Sequence, residues 1–214
     1  MSVEFSYAHA APNLRRSAVA RHRPDRPARE ETESRLRVLG LPIGVERHAL
    51  PDSVQICPKS ELPDFVILGE PNAAALLSGS LQPALSAIVP VVDATCQPGC
   101  EINRRRSDIS IGTACRHSIS FAGIMLSPMI ARFHELPSSL MESQDARLWL
   151  LARLFVRNRG LKPRRDPAAK EVIVYNDETV IPRASMVAEG LVKLGLLERR
   201  FYDALTICPH CESA

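Results

Sequence analysis

Short apolar runs separated by helical patterns dominate the middle of the chain. Residues 53–57 read as a short strand, and residues 64–69 form a continuous apolar run that Gly69 closes. A continuous run of this length is typical of a parallel strand buried on both faces. Residues 87–93 form a third apolar run, and Pro90 within it predicts an edge strand or a split into two pieces.

Helical patterns lie between and after these runs. Residues 72–81 are compatible with a helix, and residues 119–134 form an apolar helical pattern that ends before Pro137. Strands that alternate with helices predict a parallel sheet with crossover connections. We therefore predict an α/β domain over residues 36–140, within a chain that is α+β overall.

The last third of the chain carries a second pattern. A helix is predicted over residues 143–159, with Ser143 as its cap and Gly160 at its end. The elements predicted after it are a basic loop over 161–170, a strand over 171–175, a helix over 182–194 and a strand over 197–205. A helix that ends at Gly195 and leads into a strand is typical of a winged-helix unit. We predict a winged-helix-like domain over residues 143–214.

The first 35 residues have a different composition. Arginines alternate there with proline, alanine and serine, and bulky apolar residues are few. Such a segment cannot bury enough apolar surface to offset the entropy lost on ordering. We predict that residues 1–35 are a disordered, solvated basic arm. An arm that contacts nucleic acid or an acidic lipid is the alternative interpretation.

The overall composition indicates a folded protein with a mild positive charge. The 214 residues are 45% hydrophobic and carry a net charge of +3, which is weaker than the charge typical of nucleic-acid-binding domains. No apolar run approaches the ~20 residues that cross a bilayer. The N-terminus has no apolar core of signal-peptide length. These features predict a cytoplasmic protein without a membrane partner.

The cysteines are the residues most informative about chemistry. Six cysteines without a signal peptide do not indicate a disulfide framework, and we expect Cys57 and Cys115 to be small buried apolar residues. Cys208 and Cys211 differ, because two thiolates two residues apart can bind one metal ion, and zinc accepts thiolates in tetrahedral geometry. We predict Zn²⁺ at this pair, with the imidazole of His210 pointing away.

A structural zinc site needs about four protein ligands, so one cysteine pair is half of a site. Candidate additional ligands lie upstream, around a Pro-Gly turn. They are Cys96, Cys100, Cys115 and His117. Their spacing is unlike that of common zinc-binding pairs, so a loop with incidental cysteines is the alternative. The neighbouring Arg104, Arg105 and Arg106 are expected to be solvated.

The C-terminal sequence resembles a known family. The segment Leu-Gly-Leu-Leu-Glu-Arg-Arg-Phe-Tyr-Asp at 194–203, followed by Cys-Pro-His-Cys, is similar to the thaumarchaeal output domain, as is Arg-Gly-Leu-Lys-Pro-Arg-Arg-Asp at 159–166. The resemblance covers residues 145–212. It implies a metal-binding module that accompanies signalling domains such as receivers and diguanylate cyclases. Only Cys208 and Cys211 match the ligands of that family, in which a second cysteine pair normally follows.

The middle of the chain resembles a receiver domain. The resemblance is carried by Phe-Val-Ile-Leu-Gly-Glu-Pro-Asn-Ala-Ala-Ala-Leu-Leu at 65–77 and by Ala-Ile-Val-Pro-Val-Val-Asp-Ala-Thr at 87–95. A receiver that accepts a phosphoryl group needs an aspartate at the end of a strand, beside an acidic pocket. Here the strand ends in Leu68, Gly69 and Glu70, so the expected module is a degenerate receiver.

These features together predict a non-enzymatic, zinc-binding output or adaptor protein of a bacterial or archaeal signalling system. Its expected partners are signalling proteins, with a homodimer as one form. The alternative is a winged-helix DNA-binding regulator, in which four arginines would contact phosphates. They are Arg164, Arg165, Arg199 and Arg200.

Two enzymatic interpretations are not expected. The sequence contains no nucleophile elbow, His-Glu-x-x-His helix or glycine-rich phosphate loop. A thiol oxidoreductase needs its first cysteine at a helix N-terminus, where the thiol pKa falls, whereas Cys208 follows a predicted strand and only three residues follow Cys211.

Overall fold

The computed structural model describes residues 2–7, 36–41, 50–58, 61–71, 73–95, 101–112, 114–165 and 173–203. The chain divides into two compact units. The sheet unit comprises Arg23–Asn158, and the terminal unit comprises Met1–His22 together with Arg159–Ala214. The sequence predicted a boundary near residue 140, whereas the units divide after Asn158.

The described residues form nine strands, seven α-helices and one 3-10 helix. The strands are β1 (Ser2–Tyr7), β2 (Leu36–Leu41), β3 (Val54–Ile56), β4 (Phe65–Leu68), β5 (Val91–Asp93), β6 (Ile109–Ser110), β7 (Pro163–Arg165), β8 (Ile173–Tyr175) and β9 (Leu197–Asp203). The α-helices are α1 (Ala73–Ser80), α2 (Pro83–Ile88), α3 (Glu101–Arg106), α4 (Arg116–His134), α5 (Ser138–Met141), α6 (Ala146–Arg157) and α7 (Ala184–Lys193), and Asn176–Thr179 form a 3-10 helix.

The sheet unit is built on a five-stranded parallel sheet. Its strand order is β3-β2-β4-β5-β6, so the order reverses between β2 and β4. All four residues of β4 are buried, as expected for a strand covered on both faces. The predicted α/β class and the predicted strands at 53–57 and 64–69 are confirmed.

The apolar run over residues 87–93 is divided between two elements. Its first two residues, Ala87 and Ile88, end α2, and its last three form β5. Pro90 lies between them and has no N–H to continue either element, so the predicted split is confirmed. The predicted edge position is wrong, because β5 lies between β4 and β6.

Helix α4 covers one face of this sheet. Its buried side presents Ile119, Ala122, Leu126 and Ile130 to apolar residues of the strands. The buried residues of this core also include Val38, Leu50, Val54, Phe65, Ile67, Val92 and Ala94. The predicted helix over 119–134 is confirmed and begins three residues earlier, at Arg116.

Helix α6 has different ends from those the sequence predicted. The Asp145 carboxylate accepts a hydrogen bond from the Arg147 N–H at 2.9 Å, so Asp145 and not Ser143 caps the helix. Asn158, with φ of 49°, ends it two residues before Gly160. Asparagine tolerates this left-handed conformation better than most residues.

The terminal unit contains two antiparallel strand pairs, β7–β8 and β1–β9. Part of the predicted loop over 161–170 is therefore strand β7. Helix α7 ends before Gly195, whose φ is +69°, and leads into β9 as predicted. The predicted disorder of residues 1–35 is wrong for Ser2–Tyr7, which form β1, and the remainder of that arm lies outside the described residues.

In the part of the chain that the structure describes, no helix is both long enough and apolar enough to cross a membrane.

Candidate functional site

Most of the predicted zinc ligands lie outside the described residues. This applies to Cys96, Cys100, Cys208 and Cys211. The described cysteines have opposite environments. Cys57 is buried, as predicted, while Cys115 is exposed, so the prediction that Cys115 is a buried apolar residue is wrong.

Cys115 occupies the N-cap of α4, which explains its exposure. Its sulfur accepts a hydrogen bond from the Ser118 N–H at 3.5 Å, and the Ser118 hydroxyl accepts one from the Cys115 N–H at 2.9 Å. This reciprocal pair is a capping box that uses a thiol in place of a hydroxyl. The sequence contained the signal, since Cys115 and Ser118 have capping-box spacing at the start of an apolar helical pattern.

The same contacts alter the chemistry of the thiol. Hydrogen bonds from the Ser118 side chain and backbone lower the pKa of Cys115 below its usual value. The thiolate is the form that binds metals and reacts with electrophiles. His117, two residues later, is also exposed. The donor chemistry of both residues suits zinc, although no cluster of three or more metal-binding side chains occurs within the described ranges.

Asp93 lies at the carboxyl end of β5, at the sheet edge where open parallel sheets bind ligands. Its side chain is fully buried and accepts hydrogen bonds from the Thr95 N–H at 3.0 Å and from the Thr95 hydroxyl. The Ser110 hydroxyl lies 3.4 Å from the other carboxylate oxygen. Glu70, after β4 at the same edge, is exposed. Asp93 was not among the predicted site residues, although it stands at the end of an apolar run in the sequence.

Three arginines bind the last carbonyl groups of α2. Arg106 donates to the Ser86 carbonyl at 3.3 Å, and Arg153 donates to the Ala87 carbonyl at 2.7 Å. Arg157 donates to the carbonyls of the next two residues, Ile88 and Val89, at 3.0 and 3.2 Å. These carbonyls have no helical N–H partner beyond the helix end, where Pro90 follows, so the guanidinium groups satisfy them.

The burial of Arg106 contradicts the prediction that it is solvated. Arg153 and Arg157 are buried as well, although arginine is usually found at the surface. Burial, together with the nearby Arg153 charge, lowers the pKa of Arg106 to about 10. The cluster therefore stabilises the sheet unit and is not an exposed site for anions.

Asp64 links helix α4 to the amino-terminal ends of the parallel strands, at the side of the sheet opposite to Asp93. It immediately precedes β4 and accepts hydrogen bonds from the Arg37 N–H at 2.6 Å and from the His134 Nε2 at 2.7 Å. His134 is the last residue of α4. The geometry is that of a packing contact, because it fixes the end of the helix to the first residues of two strands.

The arginines proposed for phosphate binding are partly engaged by acidic residues. Arg199 forms an ion pair with Glu189, and Arg200 forms one with Glu198 at 2.9 Å. Arg164 and Arg165 lie in β7, and their side chains are outside the described residues. Exposed ion pairs are weak, so a DNA-binding role for the four arginines stays a prediction.

An open groove of about 640 Å³ lies beside β3, at one edge of the described sheet. Its lining is mixed, with Val54 and Ile56 of the strand, the buried Cys57, and the charged Asp52 and Arg116. Desolvation raises the pKa of Cys57, which makes that thiol a poor nucleophile and a poor metal ligand. Among the described residues that line the groove, the polar and charged side chains are Asp52, Gln55 and Arg116, and this set does not define a ligand.

Comparisons of the chain with protein-family models, with curated proteins and with solved structures found no match.

Proposed function

We propose that this protein is a non-enzymatic, zinc-binding output or adaptor protein of a signalling system. In this proposal the sheet unit is a degenerate receiver-like module. The terminal unit is an output module of the thaumarchaeal type, with a winged-helix-like arrangement that ends in the Cys208–Cys211 knuckle. The observation that carries the proposal is the strand order of the parallel sheet, found in one chain with a paired-cysteine segment.

The sheet topology supports a receiver-like module. Numbered within their own unit, the five strands have the order 2-1-3-4-5, with parallel neighbours throughout. This is the order of flavodoxin-like doubly wound folds, which include receiver proteins. The strand that would carry a phospho-acceptor is β4, and its sequence continues as Gly69-Glu70. We therefore assign this module to protein contacts and not to phosphoryl transfer.

The terminal unit supports a metal-binding module through its order of elements. Helix α7 leads through Gly195 into β9, and β9 ends at Asp203, five residues before Cys208. Bound zinc would supply thiolate coordination that stabilises a small structural unit. Cys208 and Cys211 would hold the ion. Their role is to fix the segment that follows β9, where the chain offers few bulky apolar residues.

The decisive experiment is the zinc content per chain of the freshly purified, reduced protein, measured by elemental analysis. The test variant combines Cys208→Ser with Cys211→Ser. Variants at the other candidate ligands, Cys96→Ser with Cys100→Ser and Cys115→Ser with His117→Ala, report whether those residues bind metal of their own. Far-ultraviolet circular dichroism confirms that each variant is folded.

About one zinc per chain that is lost in the Cys208/Cys211 variant would support the proposal. Half a zinc per chain would indicate that two chains share one ion, to which each chain contributes its Cys208–Cys211 pair. Wild-type protein that lacks zinc after purification and fails to bind added Zn²⁺ would overturn the metal-binding proposal. Titration with duplex DNA in low salt would then test the arginine-based alternative, since phosphate contacts give a steep salt dependence.

A further inference from the structure

Helix α7 of the terminal unit is buried along one side and exposed along the other. Its buried side presents Ala184, Ala188 and Leu191 to the interior of the unit. On the outer side, Met186 and the C-cap residue Leu194 are 66% and 60% accessible to solvent. Two large apolar side chains are therefore exposed on the outer half of one short helix.

The residues around Met186 and Leu194 complete this outer surface. Gly190 stands four residues from each of them, which places it between them on the helix. Open space surrounds the position that a β-carbon would take at Gly190, so the backbone of another helix can approach closely there. The exposed Lys193 follows Met186 by seven residues, nearly two full turns. With the exposed Arg183 at the N-cap, these residues form what we call the α7 face.

Arg183 has a backbone conformation that normally favours glycine. Its φ is 58°, and a non-glycine residue held in this left-handed region costs about 1–3 kcal/mol. Its side chain does not cap α7, because the Glu178 carboxylate near this helix end accepts a hydrogen bond from the Ser185 hydroxyl at 2.8 Å. Glycine would adopt the same backbone without strain. The arginine side chain is therefore explained best by a contact made outside the unit.

The charges of the α7 face are both positive. Arg183 and Lys193 are ten residues apart, which separates them by about 15 Å along the helix. The flanking Glu189 forms an ion pair with Arg199. A complementary partner carries acidic groups at two points about this far apart, with apolar side chains between them. A second copy of the α7 face does not fit, since the pairing would bring like charges together.

We propose that the α7 face binds an acidic amphipathic helix of a partner protein. Carboxylates of that helix pair with Arg183 and Lys193, and its apolar side chains pack against Met186 and Leu194 across Gly190. Duplex DNA would supply anions but would place the two apolar side chains against a charged backbone. The proposal rests on the proposed adaptor role and specifies its partner, but it does not require zinc, so the zinc measurement and the binding measurement can fail separately.

The test uses the full chain and three labelled alanine-based peptide helices of about 20 residues, a length at which isolated helices form. The first carries leucines three and four residues apart, with glutamates at both ends of the leucine face. The second has lysine in place of glutamate, and the third has alanine in place of leucine. Fluorescence anisotropy should show that the first peptide binds about tenfold more tightly than either of the others.

Variants of the protein place the binding on the α7 face. Lys193→Glu should weaken binding of the acidic peptide several-fold, whereas the matched control Lys162→Glu should have little effect, because Lys162 is an exposed cation outside α7. Arg183→Glu combined with Lys193→Glu should reverse the preference toward the lysine peptide, a gain that unfolding cannot produce. Arg183→Gly should weaken binding without lowering the thermal midpoint, because glycine relieves the strained backbone.

Three results would overturn the proposal. The first is that the acidic leucine peptide does not bind, or binds no better than the other two peptides. The second is that Lys193→Glu and Lys162→Glu have equal effects, since the attraction would then depend only on net charge. The third is that duplex DNA binds the α7 face and that Met186→Ala leaves this binding unchanged, which would replace the protein partner with a nucleic acid.

Discussion

Arg157 and Asp108 form a buried, two-point ion pair between the end of α6 and the residue before β6. Their contacts are Nε to Oδ1 at 2.6 Å and Nη2 to Oδ2 at 2.8 Å, and the side chains are 0% and 2% exposed. Asp108 also accepts the Val91 N–H at 2.9 Å. The pair therefore attaches α6 to the sheet, which explains why this helix belongs to the sheet unit.

Removal of one partner from this pair should destabilise the sheet unit strongly. Arg157→Ala leaves the buried Asp108 carboxylate without its charged partner and two carbonyl groups without this donor, so we expect a loss of about 3–5 kcal/mol in the free energy of unfolding. Urea denaturation followed by circular dichroism measures this loss.

Arg157→Met combined with Asp108→Asn should cost less than the sum of the single variants, because neither charge is then buried alone. Arg147→Ala, at an exposed ion pair with Asp145, is the control and should leave the midpoint nearly unchanged. Equal losses for Arg157→Ala and Arg147→Ala would contradict the buried pair.

A second prediction concerns the close approach of α4 to β2 at Gly123. A β-carbon at this position would lie 2.9 Å from the Leu36 Cδ1 atom, so Leu36 would have to move. The displacement of Leu36 should cancel most of the gain of about 0.5–1 kcal/mol that alanine normally brings to a helix, so we expect Gly123→Ala to leave the free energy of unfolding nearly unchanged. Gly79→Ala is the matched control, since that helical glycine has open space around it and alanine should gain about 0.5–1 kcal/mol.

The double variant Gly123→Ala with Leu36→Val identifies the cause. Valine lacks the δ-carbon that clashes, so the double variant should be more stable than the sum of the two single changes in the free energy of unfolding predicts. Additive changes would mean that the contact with Leu36 does not determine why glycine occupies this position.

The capping contact of Cys115 should be measurable as thiol reactivity. Because Ser118 lowers the pKa of Cys115, the rate of alkylation by iodoacetamide should reach half its maximum at a lower pH than for an unperturbed thiol. Ser118→Ala removes the side-chain bond and should move that midpoint to higher pH. Peptide mass spectrometry over a time course separates the sites. Cys57 is the internal control, because its burial and raised pKa should make it react more slowly than Cys115. A pH profile that Ser118→Ala does not shift would refute the role of the hydrogen bond.

The pairing of β1 with β9 predicts that the terminal unit needs the N-terminal strand. Glu4 and Phe5 pair with Arg200 and Arg199, and proline cannot donate to a strand ladder. The combination Glu4→Pro with Phe5→Pro should remove hydrogen-exchange protection from the amides of β9, while the amides of β4 keep theirs. Glu4→Val with Phe5→Val retains strand-forming residues and should preserve both. Protected β9 amides in the proline variant would argue against the pairing.

The sequence predicted the parts of the fold in which one local pattern decides the structure. The continuous apolar run of β4 predicts a strand that is buried on both faces. The helical periodicity of α4 predicts a helix that is buried on one side. The division of residues 87–93 also followed from a local cause, the missing N–H of Pro90.

The arginines of α6 could not be placed in the same way. Helical periodicity treats arginine as a solvent-facing residue, and the acceptors of Arg153 and Arg157 are carbonyls that lie 66 to 69 residues away in sequence. Nothing near Arg153 in the sequence reveals that α2 ends against it. The three carbonyls of Ala87, Ile88 and Val89 override the usual preference of these guanidinium groups for water.

Strand β1 was missed for a related reason. Val3, Phe5 and Tyr7 alternate with polar residues, which is a strand pattern, but the following arginine-rich composition led to a prediction of disorder for the whole segment. Among the candidate ligands, the exposure of Cys115 was missed because a cysteine cap is less familiar than a serine or threonine cap.

The separation of β1 from β9 has a consequence for how the protein is made. About 190 residues lie between the two strands, so the ribosome releases β1 long before its partner. At 5–20 residues per second, translation of that interval takes about 10–40 s. The sheet unit is synthesised entirely within this time and can fold before β1 has its partner strand. Assembly of the terminal unit is therefore a late event in biosynthesis, and β1 remains accessible to chaperones until β9 emerges.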